Sequence, residues 1–308
     1  MKRKVYILAT MDVEPIKQEA NWTGPENAQE SEDYIRCYWE IAYKYGYTVS
    51  FFIHPEAALL HGKLFNEYNS NGACLGLHVH STKFHYPDYK YEFGYYDAAA
   101  QEEIISSASR EWEAAMGFKP LYFRPGAFSA NDATAMVLAK LGFRGGSLSI
   151  PGRIWPERYC VWAGAPRYPH RAHTSFRCAP GYLDFIDVPL SVDYSNPVSR
   201  RGFFYYQDLR PSARQVSAED ILRHIIGQIK EDNPRVPVIQ LIAHNDQPFD
   251  DPASESYRRL ALVLSSIETL CKQNDLKAVD STIEEICSLE LSSPPEVPLS
   301  WKESNDVE

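Results

Sequence analysis

Lys4-Val5-Tyr6-Ile7-Leu8-Ala9-Thr10-Met11-Asp12-Val13-Glu14 is an apolar run that ends in two acids one residue apart. In an extended strand, residues two apart point to the same face. Asp12 and Glu14 therefore project together at the end of a first strand. Far downstream, Gly76-Leu77-His78-Val79-His80 repeats the spacing with imidazoles. A carboxylate oxygen and two imidazole nitrogens suit a catalytic divalent metal such as zinc, with one position left for water. A spare carboxylate beside that water is what metal-assisted hydrolysis needs. Taken singly, an Asp at a strand end is ordinarily a cap or turn former. Two such pairs, each after an apolar run, point to a site.

The rest of the chain is consistent with one enzyme-sized unit. It has 308 residues, 44% of them hydrophobic and 23% charged, as in an ordinary globular protein. A net charge of -10 argues against a general nucleic-acid or anionic-membrane binder. Aromatics reach 13%, with 20 Tyr, which fits aromatic-lined clefts as well as core packing. Cys37, Cys74, Cys160, Cys178, Cys271 and Cys287 form no C-x-x-C pair. Reduced thiols and a cytoplasmic location are expected. Met1-Lys2-Arg3-Lys4 resembles the basic part of a signal peptide, but the apolar run behind it soon meets Asp12, so it is read as a strand. No run approaches the length of a membrane span.

Short apolar runs at 4–10, 47–53, 73–79, 121–124, 142–147, 183–188, 236–243 and 276–279 read as strands. Helical patterns at 31–45, 55–69, 98–116, 131–140, 218–231, 254–271 and 281–288 fall between them. Ser31 and Asn131 are N-cap types, and Gly46 and Gly142 stand where helices would stop. Near-continuous Val/Ile/Leu strands separated by helices imply a parallel sheet covered by helices. The expectation is an α/β fold, a distorted or incomplete (β/α) barrel, as a single domain over 1–291. Elaborated loops are expected at 148–180 and 191–217, and an extended or disordered tail at 292–308.

Each candidate segment falls at the C-terminal end of a strand, where such folds place their sites. In order they are Thr10-Met11-Asp12-Val13-Glu14-Pro15, Gly76-Leu77-His78-Val79-His80-Ser81, Tyr122-Phe123-Arg124-Pro125-Gly126, Asp184-Phe185-Ile186-Asp187-Val188-Pro189 and Leu241-Ile242-Ala243-His244-Asn245-Asp246. That ordered set resembles the polysaccharide deacetylase superfamily, of the NodB-homology or carbohydrate esterase family 4 type. The resemblance implies Asp12 as catalytic base and Glu14, His78 and His80 as metal ligands. It further implies Arg124 as the group orienting the base and His244 as general acid. The chain departs from the family pattern in having Val13 where a second adjacent aspartate is usual. Its histidines are two apart rather than four, with His85 as a substitute for His80. It resembles a divergent member carrying Asp-x-Glu and His-x-His motifs.

Elementary chemistry agrees with those roles. Arg124 near Asp12 would favour the ionised carboxylate. An imidazole titrates near neutrality, which suits His244 for proton delivery to a leaving nitrogen. Arg153, Arg158, Arg167, Arg177, His170 and His173 make 148–180 locally basic, a candidate rim for an anionic substrate. A solvated loop paired to acids is the competing reading. Trp155, Tyr168, Tyr159 and Trp162 could stack on a sugar or pack the loop, with Arg167, Trp155 and Tyr168 the first substrate-binding candidates. Asp187 and Asp246 are candidates to orient His or Arg groups. The expected function is a metal-dependent amide hydrolase removing an acetyl or similar acyl group from an N-acylated amino sugar or related compound. It would use one divalent ion, zinc first, and a small-molecule or carbohydrate substrate. Hydrolysis of a formamide or cyclic amide is the alternative within enzymes, and a non-catalytic carbohydrate-binding member the alternative outside them.

Overall fold

The computed structural model describes residues 2–200, 203–211 and 217–294. Its first half runs β1 (Arg3–Val13), α1 (Ala28–Lys44), β2 (Val49–Ile53), α2 (Pro55–Ser70), β3 (Cys74–Val79), α3 (Ala98–Met116), β4 (Tyr122–Pro125) and α4 (Thr134–Lys140). Short strands follow: β5 (Gly145–Gly146), β6 (Ile154–Trp155), β7 (Cys160–Val161), β8 (His170–Arg171) and β9 (Ile186–Asp187). The chain then forms β10 (Val192–Arg200), β11 (Phe203–Asp208), α5 (Ala218–Asp232), β12 (Val238–His244), α6 (Glu255–Gln273), β13 (Leu276–Asp280) and α7 (Ile283–Leu291). Beyond 294 the expected tail lies outside the described residues.

One sheet has the order β12-β1-β2-β3-β4-β5-β9-β8, with β13 beside the first half of β1. Its pairs are parallel except β8, which adds an antiparallel edge. The sheet curls without closing. Between β9 and β12 the seam is held by single groups. Ser191 Oγ accepts from Gln240 N at 2.9 Å and donates to Val238 O at 3.3 Å. Ile242 N donates to Leu209 O at 3.0 Å. This is the incomplete (β/α) barrel that the alternation of apolar runs and helices implies.

Strand alternation sorts the residues. Val5, Ile7, Ala9, Met11 and Val13 pack outward into the large core beneath the helices. Leu8 faces inward with Phe52, Cys74, Tyr122 and Val238, and Ile283, Ile286 and Cys287 of α7 plug that end. Each fully buried aliphatic or aromatic side chain contributes roughly 1.5–3 kcal/mol. The next inward positions after Leu8 are Thr10, Asp12 and Glu14, so the apolar lower layer gives way to a polar upper one. β1 also runs further than its apolar run suggests, because Asp12 pairs with His244 of β12 and Val13 with Ile53 of β2. Neighbouring ladders hold Asp12 in extended backbone, and Glu14 follows directly after the last paired residue, Val13.

Helix signals were partly local. α3 spans the expected residues, with the Asp97 side chain accepting from Ala100 N at its start and Gly117 in the left-handed region at its end. α1 instead begins a turn before the expected Ser31, capped by Asn27. Ser31 is buried inside it, accepting from Asn245 Nδ2 at 2.9 Å and facing His61 Nε2 at 3.1 Å. A larger difference lies in 148–180 and 191–217. Parts of these stretches, expected as loops, form a second, antiparallel sheet of order β10-β11-β6-β7. Pairing between residues far apart in sequence creates it, and a bulge between Asp193 and Pro197 interrupts the alternation that would have announced β10. Among the described residues no helix is long and apolar enough to cross a membrane.

Candidate metal centre and active site

Strand register brings the rim together. Asp12 sits opposite His244 across β1 and β12, and His78 opposite Arg124 across β3 and β4. Glu14, His78 and His80 each offer a ligand atom, all within 4.8 Å of one another. Glu14 Oε1 lies 3.1 Å from His80 Nε2 and 3.6 Å from His78 Nε2. The far nitrogens are anchored. His78 Nδ1 lies 2.9 Å from Arg124 O and donates to it, while His80 Nδ1 lies 3.3 Å from Glu92 Oε1. Among the described residues His78 Nε2 is buried with no hydrogen-bond partner. Two imidazoles oriented through their outer nitrogens, with inner nitrogens converging on a carboxylate, are the donor set and support that a divalent cation such as zinc requires.

Close packing maintains this arrangement. A Cβ on Gly126 would fall 2.2 Å from His80 Cγ, so the Arg124-Pro125-Gly126 turn approaches the imidazole only because it ends in glycine. Asn245 clamps the Glu14 backbone, accepting from Glu14 N at 2.8 Å and donating to Glu14 O at 3.1 Å. Lys83 Nζ donates to Glu14 Oε2 at 2.7 Å and to Thr23 O at 2.9 Å. Burial raises the Glu14 pKa, but the charges of His80 and Lys83 and the close approach of both imidazoles outweigh it and hold the carboxyl well below its usual range. Burial lowers the His80 pKa, yet Glu14 and then Glu92 draw it up to about 9. The cluster thus demands positive charge, which a proton or a metal ion supplies.

Asp12, Arg124 and His244 stand beside it. Arg124, with no solvent exposure, donates through Nη1 to Asp12 Oδ1 at 2.5 Å and to Thr10 Oγ1 at 3.1 Å. Its guanidinium also lies over the Phe52 ring, 4.1 Å from the centroid. Burial raises the Asp12 pKa, and Arg124, His78 and His244 together bring it below its ordinary value. Asp12 is therefore ionised near neutrality. Its Oδ2 faces His244 Nε2 at 3.8 Å, a gap that a reacting atom can bridge. Burial lowers the His244 pKa despite Asp12 and Asp246, so the imidazole rests neutral.

The rim opens into a cleft of about 670 Å³ whose lining includes Asp12, Glu14, His80 and His244. Of the expected substrate-binding residues, Trp155 lines it, as do Arg153 and Arg158. Arg167 and Tyr168 do not. Both bond Asp232 Oδ2 at the end of α5, at 3.0 and 2.8 Å, because that exposed acid is nearer than the cleft. His85 is no substitute ligand: it is paired with Glu111 at 2.7 Å on the surface. Asp187 accepts from Leu148 N and Ser149 Oγ, steadying the β5–β9 seam rather than a site histidine. Asp246 accepts from Gly24 N. Arg177 bonds Asp132, and the Trp162 indole N–H donates to Phe128 O, so both pack the loop. Tyr159 joins Tyr91 and Tyr95 in an aromatic group. His170 sits in β8 and His173 against Phe176. The sequence reading missed Glu92, Lys83, Asn245 and the Asp208–Arg210 pair. Only Asn245, adjacent to His244 at a strand end, carried a local signal.

No family model matches the chain, and no curated protein matches its sequence. Solved structures do match. A chain from Mycobacterium smegmatis assigned to the polysaccharide deacetylases superposes with a TM-score of 0.62 at 13% identity, over 97% of this chain and 95% of that one. The allantoinase PuuE gives 0.60 at 10% identity, over 95% and 92%. A chain from Pseudomonas aeruginosa PAO1, also assigned to the polysaccharide deacetylases, gives 0.56 at 12% identity, over 92% and 90%. The curled sheet, its strand order and these likenesses agree that the chain has the fold of the polysaccharide deacetylase superfamily.

Proposed function

We propose that this protein is a metal-dependent amide hydrolase. It removes an acetyl or similar acyl group from an N-acylated amino sugar or a related small N-acyl compound. One observation carries the reading: the convergence of Glu14, His78 and His80 next to the buried Asp12–Arg124 pair at the floor of the cleft. Glu14, His78 and His80 would hold a divalent ion, zinc first, which supplies a Lewis acid for the carbonyl and lowers the pKa of a water. Asp12, kept ionised by Arg124, takes the proton from the attacking water. His244, neutral at rest, receives that proton from Asp12 across the 3.8 Å gap and delivers it to the departing nitrogen as the C–N bond breaks. The apolar layer beneath the rim, with Leu8, Phe52, Tyr122 and Val238, lowers the local dielectric and strengthens these charge interactions.

Elemental analysis of the purified protein, with acetate release from a panel of N-acetylated amines, tests the reading. About one divalent ion per chain is expected, with loss of ion and activity together in His78→Ala. Absence of both after metal addition overturns it. The likeness in fold to an allantoinase supports a second reading, cleavage of a cyclic amide. Ring opening of cyclic ureides, with no acetate released from any N-acetyl compound, would select that reading.

A further inference from the structure

We propose that Arg153 and Arg210 form a subsite for an anionic group, a carboxylate or phosphate, on the substrate. The reaction itself rests on the amide-hydrolase reading above; the anion binding does not. Three buried carboxylates around the cleft each meet one Lys or Arg: Asp12 with Arg124, Glu14 with Lys83 and Glu92 with Arg158. Asp208 meets two. Its Oδ2 accepts from Arg153 Nη2 at 3.1 Å and Arg210 Nη2 at 2.7 Å, and its Oδ1 accepts from Arg210 Nε. The Asp208 side chain is 4% exposed, Arg153 11% and Arg210 23%. One positive charge is thus left over in a poorly hydrated wall.

Both arginines line the same cleft as Asp12 and His244. Arg210 commits Nε and Nη2 to Asp208, which leaves its Nη1. Arg153 Nη1 likewise meets no acceptor among the described residues, and Arg153 Nε is buried without a partner. Arginine cannot relieve this by losing a proton. Guanidinium groups with idle donors in low dielectric are costly until an acceptor arrives. An oxyanion with two or three oxygens suits paired forks. The surplus is local, since the chain as a whole carries a net charge of -10. Trp155 lies on the same wall, with the Arg158 guanidinium 5.5 Å from its ring, and offers a flat apolar face for the rest of a small molecule.

Two measurements test this. The first is calorimetric titration of the metal-loaded protein with inorganic phosphate. Arg153→Gln and Arg210→Gln should each weaken binding about tenfold or more, and Asp208→Asn should tighten it. Arg210→Lys, which keeps charge but loses the fork, should fall between, and a melting curve checks each variant for folding. The second compares N-acetylglucosamine with its phosphate ester. The anionic-to-neutral ratio of kcat/KM should drop about tenfold in either Gln variant, through KM. Phosphate affinity unchanged by all four substitutions overturns the subsite. So does a loss confined to kcat and equal for both substrates, which would make the pair a transition-state group. If neither compound is hydrolysed, the reaction assignment fails while the phosphate titration still decides the subsite.

Discussion

The strand-end rim and the antiparallel wall face each other across one cleft, and they handle charge differently. On the rim, Asp12, Glu14, His78 and Arg124 are each at most 3% exposed, and each acid has its own cation on another segment. On the wall, the Arg153 side chain is 11% exposed and Arg210 23%, and these two arginines share one acid, Asp208. Buried, matched charges fix a geometry before substrate arrives, which is what acid–base chemistry requires. A surplus charge at a partly open wall waits for a partner, which is what recognition requires. If the comparison holds, rim substitutions should act on turnover and metal, and wall substitutions on substrate affinity.

The largest effect is expected at Asp12. Asp12→Asn should lower kcat by about 10²–10⁴-fold while metal stoichiometry stays near one, because the base is removed and the ligand set kept. A loss of only a few-fold in that variant, measured at saturating substrate, would take the proton-accepting role away from Asp12. Next comes Glu92, which faces His80 from outside the proposed ligand set. Glu92→Gln should weaken metal affinity about 10–100-fold in a chelator competition assay. An unchanged affinity would show that His80 is oriented without it.

A smaller effect concerns pH in metal-free protein. The His80 pKa is raised to about 9 in the fold against an ordinary value of 6.5. A raised folded pKa means that the native state holds the proton more tightly, so stability is fully present below pH 6.5 and declines as pH rises toward 9. His54, His61 and His244 are shifted down by burial, so their contribution falls only as pH drops below 6.5 and does not enter that window. Urea midpoints in the presence of chelator should therefore decrease from pH 6.5 to 9, and His80→Asn should flatten the trend. A midpoint that rises over this range contradicts the charge demand assigned to the cluster. The smallest effect belongs to the wall. Trp155→Ala should raise KM roughly three- to tenfold, a stacking loss on the order of 1 kcal/mol, with kcat little changed. A kcat loss as large as that of Asp12→Asn would erase the distinction between the two regions.

Sequence alone determined the rim, and the reason is that strand alternation is local. Two acids or two imidazoles spaced by one residue share a face wherever the strand goes, and the apolar run before them says that a strand is there. The limits of α3 were equally local, set by Asp97 and Gly117. Tertiary structure decided what surrounds the rim. Glu92 reaches His80 only because a turn-rich segment folds back over the cleft. Arg153 and Asp208 stand 55 residues apart and meet through the pairing of β6 with β11. Arg167 and Tyr168 looked as suitable as Arg153 and Trp155, yet they found Asp232 instead. Composition marks a segment as basic or aromatic, but which acid each cation finds depends on non-local pairing, and no periodicity in the chain encodes that.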